Sequence, residues 1–408
     1  MNEEIYMVFN KKSLIAAAIA GAFAFPIAAQ AQTSVVVYGK IYPQLTSVNL
    51  SDATRTGAVV STLGAPATGV ADINQFSMDS PNSRLGFRGT EALGGGMRAF
   101  FQLEMGFGVD TGASGSSTSL FNRDSFVGVA GNFGSVQLGN FDTVYKQVGD
   151  KLSFLGISSG NFMTVSTVIS KAGFGTSSSS SFHLRRANSI QYTTPEVAGF
   201  QGLLGYSLGE VAGNPARNSL VSGGVTYRAG PLYVALAHEV HNDFFGGSRN
   251  VPAAISNTTN TGANSTDTAT RLTVQYRFLP TTRAEVNFAQ MEYDETSGLT
   301  GRFQNYKHNA WSVGAEHRIG ATNLVATYGQ SLAGSCRLVG VSTCNTSGLD
   351  GRMLNIGAGY DLSKRTMVYA VFSRLENGSS AVYSNLNSGR PATGQDIDTF
   401  AVGLSHTF

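Results

Sequence analysis

Hydrophobic and polar residues alternate along most of the chain from Val35 onward, in segments of about ten residues. A period of two places apolar side chains on one face of a β-strand and polar side chains on the other face. The final segment, TFAVGLSHTF, shows this most clearly, because Phe400, Val402, Leu404 and Phe408 share one face. We therefore predict an all-β chain of amphipathic strands.

Short and long connections alternate between the predicted strands. Seven tight turns are predicted at Glu91 to Gly96, Asn132 to Gly134, Pro195 to Phe200, Ala229 to Pro231, Leu279 to Thr282, Ile319 to Thr322 and Leu362 to Arg365. Eight long polar loops are predicted near residues 47–82, 108–121, 142–184, 212–217, 243–268, 293–306, 332–350 and 377–396. These connections join sixteen strands. Short turns on one rim and long loops on the other are typical of a transmembrane antiparallel β-barrel in a bacterial outer membrane, with periplasmic turns and extracellular loops.

Charged side chains share one face of the predicted strands. Arg98 and Glu104 lie opposite Phe101 in the segment from residue 97 to 107, and Arg84 and Arg88 share a face in the segment before it. A charge on the lipid face of a barrel costs several kcal/mol near the membrane midplane. These charges should therefore line the lumen, whereas His406, which falls on the lipid face, should lie near the membrane interface.

Composition restricts the function classes. Hydrophobic residues make up 42% of the chain and charged residues 13%, and the formal net charge is +2. Lys and Arg are dispersed, which argues against a nucleic-acid-binding surface. Outside the N-terminus no apolar run is long enough for a transmembrane helix. A chain of this kind can cross a membrane only as a closed barrel, because lipid satisfies no open sheet edge.

Residues 1–31 have the pattern of a secretory signal peptide. Two lysines precede an apolar stretch over residues 14–29, and Ala-Gln-Ala at 29–31 fits the cleavage pattern. Cleavage would leave a mature barrel domain of residues 32–408. Two acidic residues near the start do not fit a positively charged leader, so we expect translation to begin at Met7.

Cys336 and Cys344 are eight positions apart in a polar segment, and export implies an oxidising compartment. A disulfide that closes a small surface loop is expected. A metal site is not expected, because no His or Asp residues cluster near the two cysteines.

An enzyme is the alternative from another class, and it would need a base and an orienting acid gathered at one place. The histidines are His183, His238, His241, His308, His317 and His406. His241 lies close to Asp243 in sequence, and at a strand end we expect a solvated pair. No catalytic motif is present. We predict no catalytic residue and no cofactor; a purely adhesive or structural barrel is a third alternative.

An ordered set of motifs resembles the Gram-negative general porins. The motifs are YGK at 38–40, SRLGFRG at 83–89, EALGGG with the following RAFFQLEMGF, RDSFVGVAGNFGSVQLGNFD from 123, RRANSIQYTTPEVAGF from 185 and the C-terminal VGLSHTF. The resemblance implies a trimeric, sixteen-stranded barrel in the outer membrane whose third extracellular loop folds into the pore. It also implies a water-filled channel for passive diffusion of small hydrophilic solutes and ions.

The family's pore carries a ladder of basic residues on one wall. By local motif, the resemblance assigns this role to Lys40, Arg84, Arg88, Arg123 and Arg185. Strand alternation supports these assignments, since it places Arg84 and Arg88 on the polar face. A cluster of this kind in a narrow passage would concentrate anions, so we expect an anion preference.

The constriction loop should run from about residue 142 to 182, and it departs from the family. The acidic Pro-Glu-Phe-Gly-Gly type segment is missing, and the expected constriction-loop charges are Asp142, Asp150 and Lys151. The counter-charge across the pore should therefore be weak. The alternative within transport is a substrate-specific channel in which loop residues bind one solute.

The resemblance also implies partners. We expect a homotrimer in which the second loop, near 108–121, reaches a neighbouring subunit. Outer-membrane lipid and lipopolysaccharide should surround the barrel, and small anions and polar solutes should pass through it; nucleic acid is not an expected partner. Phe408, the terminal aromatic residue, is expected to act as a C-terminal assembly signal for the barrel-assembly machinery.

Overall fold

The structure is a computed structural model. It describes residues 34–116, 118–149, 151–152, 154–156, 162–175, 181–214, 216–244, 247–257, 264–296, 299–386 and 390–408. The predicted signal peptide and Asp150 lie outside these residues. Within them, no helix is long and apolar enough to cross a membrane.

Nearly all regular structure belongs to one antiparallel sheet. Its strands are β1 (Ser34–Ile41), β2 (Gln44–Ser51), β3 (Ile73–Asp79), β4 (Arg84–Gly94), β5 (Met97–Gly106), β6 (Ser125–Gly131), β7 (Gly134–Asp142), β8 (Arg185–Thr193), β9 (Phe200–Ser207), β10 (Leu220–Ala229), β11 (Leu232–Asn242), β12 (Asn264–Leu279), β13 (Thr282–Thr296), β14 (Phe303–Ile319), β15 (Thr322–Ser331), β16 (Ser335–Leu338), β17 (Gly351–Asp361), β18 (Thr366–Asn377) and β19 (Asp396–Thr407). The short helices are α1 (Val144–Gly149) and α2 (Ser166–Ile169), and 3₁₀ turns lie at Phe154–Gly156 and Gly247–Arg249.

The sheet closes into the predicted barrel of sixteen spanning strands. β1 and β2 form one spanning strand, interrupted at Tyr42 and Pro43, and β3 and β4 form the next one. Pro43 breaks the ladder because proline has no backbone N–H to donate. β16 is a short addition that pairs with the start of β14. The all-β barrel prediction is therefore confirmed.

The barrel closes where β1 meets β19. Gly39 and Phe408 exchange two backbone hydrogen bonds of 3.1 Å. The Phe408 ring lies directly over Gly39, where a Cβ atom would come within 2.3 Å of the ring. Only glycine fits under the ring, so these two residues seal the seam together. The role of Phe408 as an assembly signal stays a prediction.

The seven predicted turns and eight predicted loops all connect neighbouring strands, but three loops are shorter than expected. The first loop covers 52–72 instead of 47–82, the fifth lies between Asn242 and Asn264, and the sixth lies between Thr296 and Phe303. β3 lies inside the predicted first loop although Phe76 and Met78 are on its outer face, whereas β12 and β13 extend past the apolar region with polar residues on both faces. Alternation between apolar and polar positions therefore places the strand end too early, and the predicted loop is too long.

Loop 7 carries the two cysteines. Cys336 and Cys344 form a disulfide with their Cα atoms 5.6 Å apart. Cys336 lies in β16, opposite Tyr306 of β14, so the disulfide holds this loop beside the upper part of β14.

The outer face of the barrel is apolar, with Phe400, Val402 and Leu404 each 41–50% exposed along β19. His406 lies at the end of the same strand, where its Nδ1 atom is 2.9 Å from the Thr366 hydroxyl. This position next to the β17–β18 turn agrees with the expected site near the interface.

The barrel wall is uneven in height, because the strands differ in length. β6 has 7 residues, whereas β12, β13 and β14 have 16, 15 and 17.

Candidate functional site

Loop 3, residues 143–184, joins β7 to β8, and its described residues fold into the lumen. Its first helix, α1, packs against β10, β11 and β12. The Tyr145 amide donates to the Ser222 hydroxyl at 2.9 Å, and the Tyr233 hydroxyl donates to the Val148 carbonyl at 2.8 Å. The loop is therefore fixed to the inner wall rather than extending into the medium.

Small side chains on the inner wall make room for this loop. Between β11 and β14, the lumen positions beneath it include Ala235, Ala237, Ala269, Ala289 and Ala310, all fully enclosed. The loop fills the space above them with the buried side chains of Val144, Tyr145, Val148, Phe174 and Phe182. Burial of apolar area at about 25 cal/mol per Å² stabilises this packing. The lumen is therefore narrowed from the β10–β18 side.

The tip of loop 3 crosses the lumen to β1. Phe154 and Leu155 are buried among residues of β15, β17 and β18. The next residue, Gly156, accepts a hydrogen bond of 2.6 Å from the Lys40 ammonium group. Lys40 is 8% exposed, so this charged donor is almost fully enclosed. Lys40 thus lies where the sequence places it, but its contact is with the loop backbone.

The opposite wall, formed by β1 and β4 to β8, carries the other predicted basic residues. Glu104 of β5 lies among them and is 5% exposed. Its carboxylate is 2.5 Å from Arg123 Nε and 3.5 Å from Arg84 Nε, and it accepts a 3.0 Å hydrogen bond from the Tyr38 hydroxyl. Arg88 lies on the same wall, with its guanidinium 5.0 Å from the Tyr38 ring centroid.

A second charge cluster continues this wall at the base of loop 3. Arg185 Nε lies 2.6 Å from Asp124 Oδ1, and its Nη2 lies 3.0 Å from Asp142 Oδ1. Lys146 of α1 also pairs with Asp142, at 3.0 Å. The structure therefore brings Arg84, Arg88, Arg123 and Arg185 onto one wall, which we call the basic wall together with Lys40.

Two of the expected loop charges lie elsewhere. Asp142 is the last residue of β7 and pairs with Arg185, so it belongs to the basic wall and does not face it. Lys151 lies on the other side of the lumen, with its Nζ atom 5.7 Å from the Tyr233 ring centroid. Asp150, the only acidic residue of loop 3, is not among the described residues.

The sequence interpretation missed Glu104 and Asp124 as members of the site. Strand alternation had put Glu104 in the lumen, and Asp124 follows Arg123 in a quoted motif, but neither pattern shows which cation each carboxylate meets. The basic wall carries five basic residues and three carboxylates, Glu104, Asp124 and Asp142, which leaves a formal charge of +2 before Lys146 is counted.

His241 does not form the expected pair with Asp243. It is 1% exposed, and its Nε2 atom lies 2.8 Å from Glu239 Oε1, while Asp243 accepts a hydrogen bond from the Ser265 amide. The expected solvated pair of His241 with Asp243 was wrong, because His241 points inward and stacks on Phe182 of loop 3 at 4.5 Å. It supports the loop.

Comparison with known proteins agrees with this architecture. The family model described as Gram-negative porin matches residues 16–380. Outer membrane porin protein 32 of Delftia acidovorans is 29% identical, over 98% of this chain and all of that protein.

Two solved structures share the fold. An anion-selective porin from Comamonas acidovorans superposes with a TM-score of 0.65 at 22% identity, covering 92% of this chain and 100% of the other. The trimer form of OmpT, an outer membrane protein of Vibrio cholerae, has a TM-score of 0.60 at 18% identity and covers 92% of this chain and 99% of its own.

The family match spans most of the sequence. The closed barrel with an inward-folded third loop is also the architecture that the resemblance implies. The chain therefore belongs to the Gram-negative porin family: it is an outer-membrane β-barrel that forms a water-filled channel for the passive diffusion of small hydrophilic solutes.

Proposed function

We propose that the channel prefers anions, because the passage between loop 3 and the basic wall has an excess of positive charge. The single observation that carries this proposal is that five basic residues share one wall with only three carboxylates. The channel lies within low-dielectric walls, which strengthen the field of those charges and raise the local concentration of anions.

The three carboxylates moderate this field and also position the arginines. Glu104 holds Arg123 and the Tyr38 hydroxyl, and Asp124 holds Arg185. Fixed guanidinium groups attract a passing anion without closing around it. A permeating ion must leave as readily as it enters, so moderate attraction suits diffusion better than tight binding.

Replacing Glu104 with glutamine is expected to increase the anion preference. The change removes one negative charge but keeps the shape and an oxygen acceptor for Arg123. A unit charge about 8 Å from a permeating ion in water contributes about 0.5 kcal/mol, with opposite sign for chloride and potassium, and salt roughly halves each contribution. The ratio of chloride to potassium permeability should therefore rise about twofold. Reversal potentials of the refolded protein in planar bilayers under a salt gradient measure this ratio.

Glu91→Gln is the matched control, because Glu91 is exposed at the turn end of β4, away from the basic wall. Its permeability ratio should equal that of the wild type. An unchanged or lower ratio in Glu104→Gln would argue against the electrostatic mechanism.

We further propose that the channel is a homotrimer. The side of the barrel with the shortest strands, which we call the low side, would lie at the subunit interface, and the side with the longest strands is the high side. A β-strand needs about 9–11 residues to cross the hydrocarbon core, whereas β6 has 7. The outer faces nearby expose Phe76 (72%), Met78 (57%), Val127 (57%) and Leu138 (52%). Contact with a neighbouring subunit would shield this wall, and a related fold is known in a trimer form.

The mass of the unheated complex in mild detergent tests this assembly. We expect three times the mass of the mature chain, and Phe76→Arg should lower the trimer fraction strongly, because it places a charge in an apolar contact. Phe278→Arg, at the exposed periplasmic end of β12 on the high side, is the control and should leave the mass unchanged. A wild-type mass of one subunit would contradict the proposal.

A further inference from the structure

A polar cavity outside the constriction lies at the extracellular end of β8. It has a volume of about 390 Å³ and lies between β8, loop 4 and the start of loop 5. Its lining includes Arg186, Asn188, Asn218, Phe244 and Arg249. None of these residues belongs to the basic wall, although Arg186 directly follows Arg185.

Both guanidinium groups are held in place by the protein backbone. Arg186 Nη2 donates to the Asn218 carbonyl at 3.1 Å, and the guanidinium lies over the Phe244 ring at 4.2 Å. Arg249 Nη1 donates to the Phe244 carbonyl at 2.9 Å. Phe244 is itself fixed by an edge contact with His241, 5.4 Å between ring centroids. The two cations are therefore oriented before any ligand arrives.

Neither guanidinium forms an ion pair with a carboxylate within the described part of the chain. The acids nearest the cavity contact other residues: Glu210 accepts from Asn188 at 2.5 Å, and Glu239 lies 2.8 Å from His241, although the Glu239 charge also acts on Arg186. Arg186 Nε is enclosed and has no hydrogen-bond partner among the described residues. A guanidinium has five N–H donors, and one donor of each arginine has a backbone acceptor among the described residues.

The backbone around the cavity is strained. Asn188, Glu210, Asn218 and Asp243 all have positive φ angles, between +49° and +59°, and they make up four of the seven such non-glycine residues that the structure describes. Left-handed conformations of this kind are strained outside glycine, and they cluster at ligand sites, where the surrounding structure maintains them.

We propose that this cavity binds a phosphate group. Two guanidinium groups that form no ion pair among the described residues match a doubly charged oxyanion, because the planar N–H forks of arginine donate paired hydrogen bonds to phosphate oxygens. The phosphate belongs either to a small solute approaching the channel or to a lipid of the outer leaflet. The site does not depend on the proposed anion preference.

Inorganic phosphate is the probe, and the refolded full-length mature protein in octyl glucoside is titrated with it. The ³¹P line width of inorganic phosphate should show saturable broadening with the wild type. Arg186→Gln with Arg249→Gln should abolish the saturable part. Arg249→Gln alone, which removes an exposed side chain with one backbone contact, should weaken phosphate affinity about tenfold, as expected for a charge-assisted hydrogen bond.

Lys364→Gln with Arg365→Gln removes the same charge from the exposed turn between β17 and β18 and is the matched control. It should retain wild-type broadening. The proposal is overturned if the wild type shows no saturable broadening, or if both double variants behave alike. Added lipid A distinguishes the sources: competition with the arginine-dependent broadening supports a lipid phosphate, and no competition supports a solute phosphate.

Discussion

Replacing Arg84 and Arg88 with glutamate is expected to convert the channel from anion preference to cation preference. The double variant changes the formal charge of the basic wall by −4, from +2 to −2, and both side chains are on β4 at the lumen. Neither is as tightly held as Arg123, since Arg84 is 3.5 Å from Glu104 and Arg88 contacts only the Tyr38 ring among the described contacts. The barrel should therefore fold.

The ratio of chloride to potassium permeability should fall by about tenfold or more, because four unit charges at about 8 Å act together even after partial screening by salt. Reversal potentials in planar bilayers give the ratio. Lys364→Glu with Arg365→Glu makes the same charge change in the periplasmic turn and should alter the ratio much less. Equal effects of the two double variants would mean that overall charge, rather than the basic wall, sets the preference.

Replacing Lys40 with methionine is expected to release the tip of loop 3. The ammonium group donates to the Gly156 carbonyl at 2.6 Å in an enclosed position, so the variant loses a charge-assisted hydrogen bond and leaves a carbonyl without its donor. Such a bond contributes about 1.5–3 kcal/mol, and its loss should raise the undocked population of the tip about tenfold to a hundredfold.

Single-channel recording should show this as more frequent transitions between conductance levels in Lys40→Met. Lys40→Arg retains a donor and a charge and should show fewer transitions than the methionine variant. Lys364→Met controls for loss of a lysine elsewhere. Gating of Lys40→Met identical to that of the wild type would show that the hydrogen bond to Gly156 does not hold the loop.

The sequence predicted the barrel well because each spanning strand meets lipid on one face and water or polar groups on the other. This contrast produces the alternation seen in Phe400, Val402 and Leu404, and glycine-rich turns mark the periplasmic rim. The prediction lost strand ends where both faces are polar, as beyond Tyr293 in β13, because no apolar face remains to mark the strand. It also placed β3 in a loop, although Phe76 and Met78 lie on its outer face.

The candidate site was predictable in its residues but not in its partners. Lys40, Arg84 and Arg185 were found from motif and alternation. Their contacts depend on which strands become neighbours and on how loop 3 crosses the lumen. Lys40 therefore meets a loop carbonyl, and Asp142 pairs within its own wall, although neither contact follows from spacing along the chain.

Some predictions stay predictions, namely the signal peptide, the start at Met7, lipopolysaccharide contact, recognition of Phe408 by the assembly machinery and the reach of the second loop toward a neighbour. Each concerns a molecule or a segment that the described barrel does not include. The cavity lined by Arg186 and Arg249 could not be predicted from the sequence, because the two arginines are distant along the chain and share no motif.

The most direct test of the central account is a single-channel recording of the refolded wild-type mature protein in a planar bilayer under a salt gradient. We expect discrete conductance steps and a reversal potential that favours chloride over potassium. A cation-selective channel would contradict the role of the basic wall. Saturable block by a single solute would indicate a substrate-specific channel instead, and an absence of conductance would contradict the open passage itself.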